Sequence, residues 1–240
     1  MHLRQERELR GLINQFSNEK IFDLCDKGGQ KFYIGFDPSA DSLQLGNMFS
    51  VMAAVHLMRY GNKCYFLVGG ATGMIGDPSQ KDAERSFLSE EQLRHNEQCI
   101  YDQLKHFLEN IKKTYDIKFD YEMVDNYDFY KDMNYLKFLR EVGKYITVNT
   151  MIAKESVKKR IEDPALSITY AEFSYMLIQG YDFLHLFESH DVKLQLGGSD
   201  QRGNVTTGME IIRKKLDQEA FALTIPLITD ASGKKFGKSE

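Results

Sequence analysis

Four stretches of this 240-residue chain combine glycine with aspartate, serine, glutamine or lysine in patterns suited to phosphates and hydroxyls: Asp37 to Asn47, Gly69 to Arg85, Gly197 to Asn204, and Asp230 to Ser239. The last contains Lys234-Lys235-Phe236-Gly237-Lys238-Ser239. Ammonium groups on such a glycine-bearing segment could clamp a polyphosphate as charge moves onto it, although a solvated basic turn has the same composition. Gly197-Gly198-Ser199-Asp200-Gln201 precedes a helical pattern. Its N–H groups and side chains could hold hydroxyls or an anion, or Ser199 or Asp200 could simply cap that helix. The stretch from Gly69 to Pro78 has neither the Gly-x-Gly-x-x-Gly spacing of a dinucleotide turn nor the Gly-Lys-Ser/Thr ending of a phosphate cradle. Alone, such a glycine-rich turn is more often just a tight connection. Tyr175, Gln179 and Asp182 are spaced by four and three, so they share one helix face among Met176, Leu177, Ile178 and Phe183. That face suits the wall of a polar pocket, a surface stripe or an interface.

The elements that must position these groups follow from period and punctuation. Short strands are predicted at Lys31 to Phe36, Cys64 to Val68, Phe119 to Val124, Val192 to Leu196 and Ala222 to Thr229. Helical spacing covers Gly46 to Tyr60, stopped by Gly61, and the stretch to Ile111 after a Ser89/Gln92 capping box. It returns at Tyr135 to Tyr145, at Thr150 to Ile161, after the Thr169/Glu172 capping box as far as Glu188, and at Gly203 to Leu216. Strands alternating with helices predict an α/β fold with a doubly wound parallel sheet, and the helical run at about 130–190 reads as an insertion into it. Ligands of such sheets sit at the carboxyl ends of the strands, where the four loops fall.

Composition narrows the function classes. A net charge of −4 lacks the basic excess of a module held to nucleic acid by charge alone, so no DNA partner is expected and any RNA contact must be local. No run approaches the ~20 apolar residues of a membrane span, and Met1 to Arg10 has no apolar signal core. Cys25, Cys64 and Cys99 are odd in number and far apart, which suits thiols in a reducing compartment, with the cytoplasm as the default and structural zinc disfavoured.

Five segments in order give a resemblance over nearly the whole chain. They are Tyr33-Ile-Gly-Phe-Asp-Pro-Ser-Ala-Asp-Ser-Leu, Leu67-Val-Gly-Gly-Ala-Thr-Gly-Met-Ile-Gly-Asp-Pro, Glu172-Phe-Ser-Tyr-Met-Leu-Ile-Gln-Gly-Tyr-Asp-Phe, Leu196-Gly-Gly-Ser-Asp-Gln and Lys235-Phe-Gly-Lys-Ser. Together they resemble the class I aminoacyl-tRNA synthetases, specifically the bacterial-type tyrosyl-tRNA synthetases. The resemblance implies a Rossmann-like catalytic domain over 1–240 that joins L-tyrosine to ATP, forming tyrosyl-adenylate and pyrophosphate, and then charges tRNA(Tyr). It implies that Tyr33 and Asp182 hold the phenolic hydroxyl, that Asp77, Tyr175 and Gln179 hold the ammonium group, and that Gln201 sits near the carboxylate. Gly35, Asp37, Gly46, Asn47, Gly198 and Asp200 would bind ATP, with the backbone of Leu227 and Ile228 near the adenine. Ser39, Lys81, Arg85, Lys235 and Lys238 would act on the phosphates, Lys238 also as an ATP contact, and Mg²⁺ would be carried by ATP itself. A dimer through the helical insertion is implied, with Phe138, Leu139, Tyr145, Ile146 and Val148 as apolar candidates. Arg213, Lys214 and Lys215 would meet the tRNA acceptor arm or simply end their helix.

Three features depart from the family pattern. Its His-x-Gly-His signature stands here as Gln44-Leu45-Gly46-Asn47. A glutamine amide donates a hydrogen bond but cannot become cationic, so weaker transition-state stabilisation is expected at position 44. Arg202 replaces the usual tryptophan, and the anticodon-binding region that family members carry is absent from this chain, so activation of tyrosine with weak charging of tRNA is expected. Two other readings stay open: a catalytically weakened RNA-binding or regulatory paralogue, and a tryptophan-specific relative, against which the Tyr33/Asp182 pair argues.

Overall fold

The computed structural model describes residues 2–78, 88–163 and 165–231. Strands β1 (Gln15–Phe16), β2 (Lys31–Phe36), β3 (Lys63–Val68), β4 (Asp120–Asp125), β5 (Leu194–Gly198) and β6 (Phe221–Ile225) form one sheet in the order β1-β6-β5-β2-β3-β4. All neighbours are parallel except β1, which runs antiparallel to β6. The helices are α1 (Leu3–Leu9), α2 (Lys20–Asp26), α3 (Leu45–Met58), α4 (Thr72–Ile75), α5 (Glu90–Tyr115), α6 (Tyr127–Tyr130), α7 (Tyr135–Glu141), α8 (Val148–Ile152), α9 (Glu155–Glu162), α10 (Tyr170–His190) and α11 (Arg202–Leu216).

The pleat of β2 explains the layers. Phe32, Ile34 and Phe36 enter one core with Val51 and Val55 of α3 and Leu104 of α5, whereas Tyr33 enters a second core with Phe183 of α10 and Ile211 of α11. The sheet is therefore covered on both faces, as expected. The chain winds outward from β2 through β3 to β4, crosses a helical segment, and returns to β5 on the other side of β2. The loops after β2 and β5 consequently part in opposite directions and leave a crevice between them. No helix among the described residues is long and apolar enough to cross a membrane.

Several expected elements differ in extent. The strand predicted to Thr229 ends at Ile225, because Pro226 has no N–H to continue the ladder. The helix predicted over Tyr135 to Tyr145 stops at Glu141, where Val142 leaves helical geometry (φ −123°) and turns its side chain fully inward. A single 3-10 turn, Gly143–Tyr145, follows it. The helix predicted over Thr150 to Ile161 is two, since Lys154 is extended (φ −66°, ψ 135°) and its Nζ reaches Thr206 Oγ1 at 2.8 Å. Both predicted capping boxes form, with Ser89 Oγ accepting from Gln92 N and Thr169 Oγ1 from Glu172 N, each at 3.2 Å.

Candidate active site

A cavity of about 180 Å³ opens at the carboxyl ends of β2 and β5. Tyr33, Gly35, Asp37 and Ser39 reach it from β2 and the loop beyond, and Gln44, Gly46 and Asn47 from the start of α3. Tyr175, Gln179 and Asp182 line it from α10, and Asp77 from the segment after α4. Gly198, Asp200 and Gln201 follow β5, while Leu227 and Ile228 follow β6. The structure thus brings these sixteen predicted residues to one place. Lys81, Arg85, Lys235 and Lys238 lie outside the described residues.

At one end Asp182, 1% exposed, accepts from Asn126 Nδ2 at 3.0 Å. The Tyr130 hydroxyl, with a single proton, reaches both Ile178 O at 2.6 Å and Asp182 Oδ1 at 3.0 Å. Burial pushes the Asp182 carboxyl up to about 8, against the pull of these two hydrogen bonds and with help from the nearby Asp37 and Asp125 charges. Tyr33 is fully enclosed, and its phenol is raised by burial and by the field of Asp182. Its hydroxyl has no partner among the described residues. An acceptor carboxyl beside an uncommitted hydroxyl is complementary to a ligand hydroxyl, which can donate to the first and accept from the second.

The raised Asp182 has a consequence for stability. Folded protein holds its proton more tightly than unfolded chain between the ordinary 3.8 and about 8, so stability is fully present below that window and lost as pH rises through it. Replacement by asparagine should flatten this dependence. Thermal melts at pH 5 and pH 8 should differ less for Asp182→Asn than for the parent, and an unchanged difference would show that the carboxyl titrates normally.

In the middle of the cavity Asp37 accepts from the Tyr175 hydroxyl at 2.8 Å and from Thr72 Oγ1 at 2.7 Å. A side chain at Gly69 would collide with both Asp37 Oδ1 and Thr72 Oγ1, so glycine there is what lets the two loops meet. Gln201 Nε2 donates to Asp77 Oδ2 at 2.6 Å, and Asn204 Nδ2 reaches Gln201 Oε1 at 3.2 Å. Gln179 contributes a buried Oε1 with no partner among the described residues. This region is a set of aimed acceptors, which suits an ammonium group.

At the other end Gln44 caps α3, its Oε1 accepting from Gly46 N at 2.7 Å while its own N donates to Asn47 Oδ1 at 3.1 Å. The amide oxygen being used this way, Nε2 is the remaining donor. All six histidines lie among the described residues, and none lines the cavity. Asn126, Thr72 and Tyr130 were missed as site residues. Asn126 directly follows β4, so the rule that strand ends carry ligands would have flagged it, and Thr72 sits inside the glycine-rich loop already singled out. Tyr130 gave no signal of its own.

Residues 26–240 match the family model for class I tRNA synthetases (W and Y). The chain is 56% identical over 208 residues to a tyrosine–tRNA ligase of Amoebophilus asiaticus, covering 87% of this chain and 47% of that protein. It is 51% identical over 241 residues to the tyrosine–tRNA ligase of Bacteroides thetaiotaomicron, covering all of this chain and 55% of that one. It therefore spans about half the length of these curated relatives. Among solved structures, a C-terminally truncated mitochondrial tyrosyl-tRNA synthetase of Aspergillus nidulans superposes with a TM-score of 0.87 at 26% identity, over 99% of this chain and 72% of that one. With a Rossmann-like sheet, a cavity at its switch point and a family match from residue 26 onward, the chain belongs to the class I tRNA synthetases of the tryptophan and tyrosine group.

Proposed function

We propose that this chain activates L-tyrosine with ATP, and that the whole protein transfers tyrosine to tRNA(Tyr) in the cytoplasm. The observation that carries the reading is the buried Asp182 carboxyl beside the uncommitted Tyr33 hydroxyl at the closed end of the cavity. Phenylalanine would leave the Tyr33 hydroxyl without a partner and bring no donor to Asp182, and an indole N–H can donate to Asp182 but offers Tyr33 no hydroxyl acceptor. This favours tyrosine over tryptophan, as do the names of the relatives. The filled set of polar contacts, the relatives' names and the acidic net charge weigh against a silenced RNA-binding paralogue.

In this reading the ammonium group lies among Asp77, Tyr175 and Gln179, with Gln201 by the carboxylate. A carboxylate oxygen attacks the α-phosphorus in line, the bond to the β-phosphate oxygen breaks, and pyrophosphate leaves with the electron pair. Positioning and charge stabilisation are the work required. Gly35, Asp37, Gly46, Gly198 and Asp200 hold the nucleotide and Leu227 and Ile228 flank the adenine. Ser39, Gln44 Nε2 and Asn47 meet the phosphates, and Lys81, Arg85, Lys235 and Lys238 act on the pyrophosphate. Mg²⁺ arrives as part of the ATP substrate; no group of three ligating side chains is placed for a resident metal among the described residues.

A homodimer is supported by apolar side chains left on the α7–α8 surface: Leu136 is 75% exposed, Tyr135 59% and Val148 58%. Of the expected interface residues, Leu139 and Val148 belong to this surface, whereas Ile146 is buried and Phe138 and Tyr145 pack on the second core. For the acceptor arm Arg213 and Lys214 are exposed and Lys215 is half-buried; Lys214 is paired with Glu210 at 2.7 Å and Lys215 with Glu188 at 3.2 Å.

The deciding experiment is tyrosine-dependent exchange of labelled pyrophosphate into ATP, beside tryptophan, phenylalanine and no amino acid. Exchange with tyrosine alone is expected; exchange with tryptophan in its place, or none despite tyrosine binding, would replace the proposal by one of the two alternatives. In the same assay Gln44→His should raise the rate by about 10-fold or more, since a cationic donor strengthens as charge develops. An unchanged or lower rate would show that the neutral amide at this cap suffices.

A further inference from the structure

We propose that Thr72 is a positioning residue, which fixes the amide orientation of Asn126 and through it the acceptor that Asp182 presents to the substrate hydroxyl. This deepens the tyrosine reading above and rests on it. The Thr72 hydroxyl has one proton, and a carboxylate can only accept, so the 2.7 Å contact to Asp37 Oδ1 consumes that proton. Its lone pairs are then what Asn126 meets at 3.0 Å, and the Asn126 atom there must be the Nδ2 donor. Ala71 N donates to Asn126 Oδ1 at 2.7 Å from the other side, in agreement. A flipped amide would set oxygen against oxygen at Thr72 and N–H against N–H at Ala71. With Thr72 2% exposed and Asn126 wholly buried, water cannot repair either clash.

The orientation matters because the same Nδ2 donates to Asp182 Oδ2 at 3.0 Å. One continuous chain of hydrogen bonds thus runs from Tyr175 through Asp37, Thr72 and Asn126 to Asp182, joining the ammonium-binding and hydroxyl-binding ends of the cavity. Thr72 is the member whose single proton sets its direction. Thr72 itself lines the cavity, but the role assigned here is exerted through its two neighbours.

The test is calorimetric binding of L-tyrosine to the parent, Thr72→Val, Thr72→Ser and Asn126→Ala, with exchange kinetics for tyrosine and phenylalanine alongside. Thr72→Val keeps the shape and removes the hydroxyl. It should weaken tyrosine binding about 10-fold or more, while Thr72→Ser stays within about 3-fold of the parent. Phenylalanine, lacking the hydroxyl, should be affected far less. Adding Thr72→Val to Asn126→Ala should cost little further, because both act through one linkage. If valine is rejected by the fold, Thr72→Ala removes the same hydroxyl without added bulk. Unchanged tyrosine affinity in the variants, equal loss in valine and serine variants, equal loss for tyrosine and phenylalanine, or additivity with Asn126→Ala would each overturn the inference. A parent chain that binds no tyrosine would instead remove the functional reading beneath it.

Discussion

Replacing Asp182 by alanine is expected to lower kcat/KM for tyrosine in pyrophosphate exchange by about 10²- to 10³-fold, while the value for phenylalanine changes by less than about 3-fold. A hydrogen bond to this buried carboxyl contributes up to about 1.5 kcal/mol, and the change also strands buried donors at about 1–3 kcal/mol, which together reach roughly 3–4 kcal/mol. Asn126 Nδ2, 3.0 Å from the lost oxygen, is one such stranded donor. Unfolding is not the route to this loss. Burial already penalises the charged carboxyl, so its removal lifts a cost that the folded state bears at neutral pH. The substrate contrast decides the matter: an equal fall for tyrosine and phenylalanine would mean that Asp182 shapes the cavity and does not select the hydroxyl.

How much of this site could be read beforehand follows from how each residue stands out against its surroundings. Asp182 was legible because a carboxylate on the face of an otherwise apolar helix demands a reason. Asn126 was not, because a lone asparagine after a strand reads as a turn; only the fold shows that its amide ties Ala71, Thr72 and Asp182 together. The five motifs placed the loops through family resemblance, whereas composition and periodicity alone left a capped helix and a surface stripe as equal readings and favoured a solvated basic turn. In the fold, β2, β3 and α5 were legible from apolar runs and a capping box. The two-residue β1 has no period to detect, and α1 hides its meaning in Arg7, a residue type expected at the surface. Here it is wholly buried, with its guanidinium donating to Ala53 O and Leu12 O at 2.9 Å each. The break between α8 and α9 has no glycine or proline to announce it; the tertiary contact of Lys154 with Thr206 accompanies it.

A second variant, Arg160→Ala, should produce the largest loss of stability, about 3–5 kcal/mol, because it strands a buried carboxylate. Arg160 and Glu172 are 3% and 4% exposed and meet through two parallel contacts of 3.1 Å, while Arg160 Nε donates to Ser167 O at 2.7 Å. Glu172 is also the capping-box residue of α10, accepting from Thr169 N at 3.0 Å, so the pair pins α9 to the start of the helix that bears Tyr175, Gln179 and Asp182. Burial by itself would raise the Glu172 carboxyl, but the Thr169 and Arg160 hydrogen bonds outweigh it and hold it below the ordinary value of 4.5. A depressed carboxylate contributes stability that is present above the unfolded value and disappears as pH falls through the folded one. The penalty of Arg160→Ala should therefore be greatest near pH 7, a fall in melting temperature of roughly 10 °C for a chain of this size, and should be smaller in acid, well below the ordinary value of 4.5, where Glu172 takes up a proton. The double change Arg160→Met with Glu172→Leu should recover most of the loss at pH 7, since an apolar pair of similar volume leaves no buried charge unpaired. Calorimetric melts of the three proteins at pH 7 and in acid test this, and a single-variant penalty that does not vary with pH would mean that the ionised pair is not what holds α10 in place.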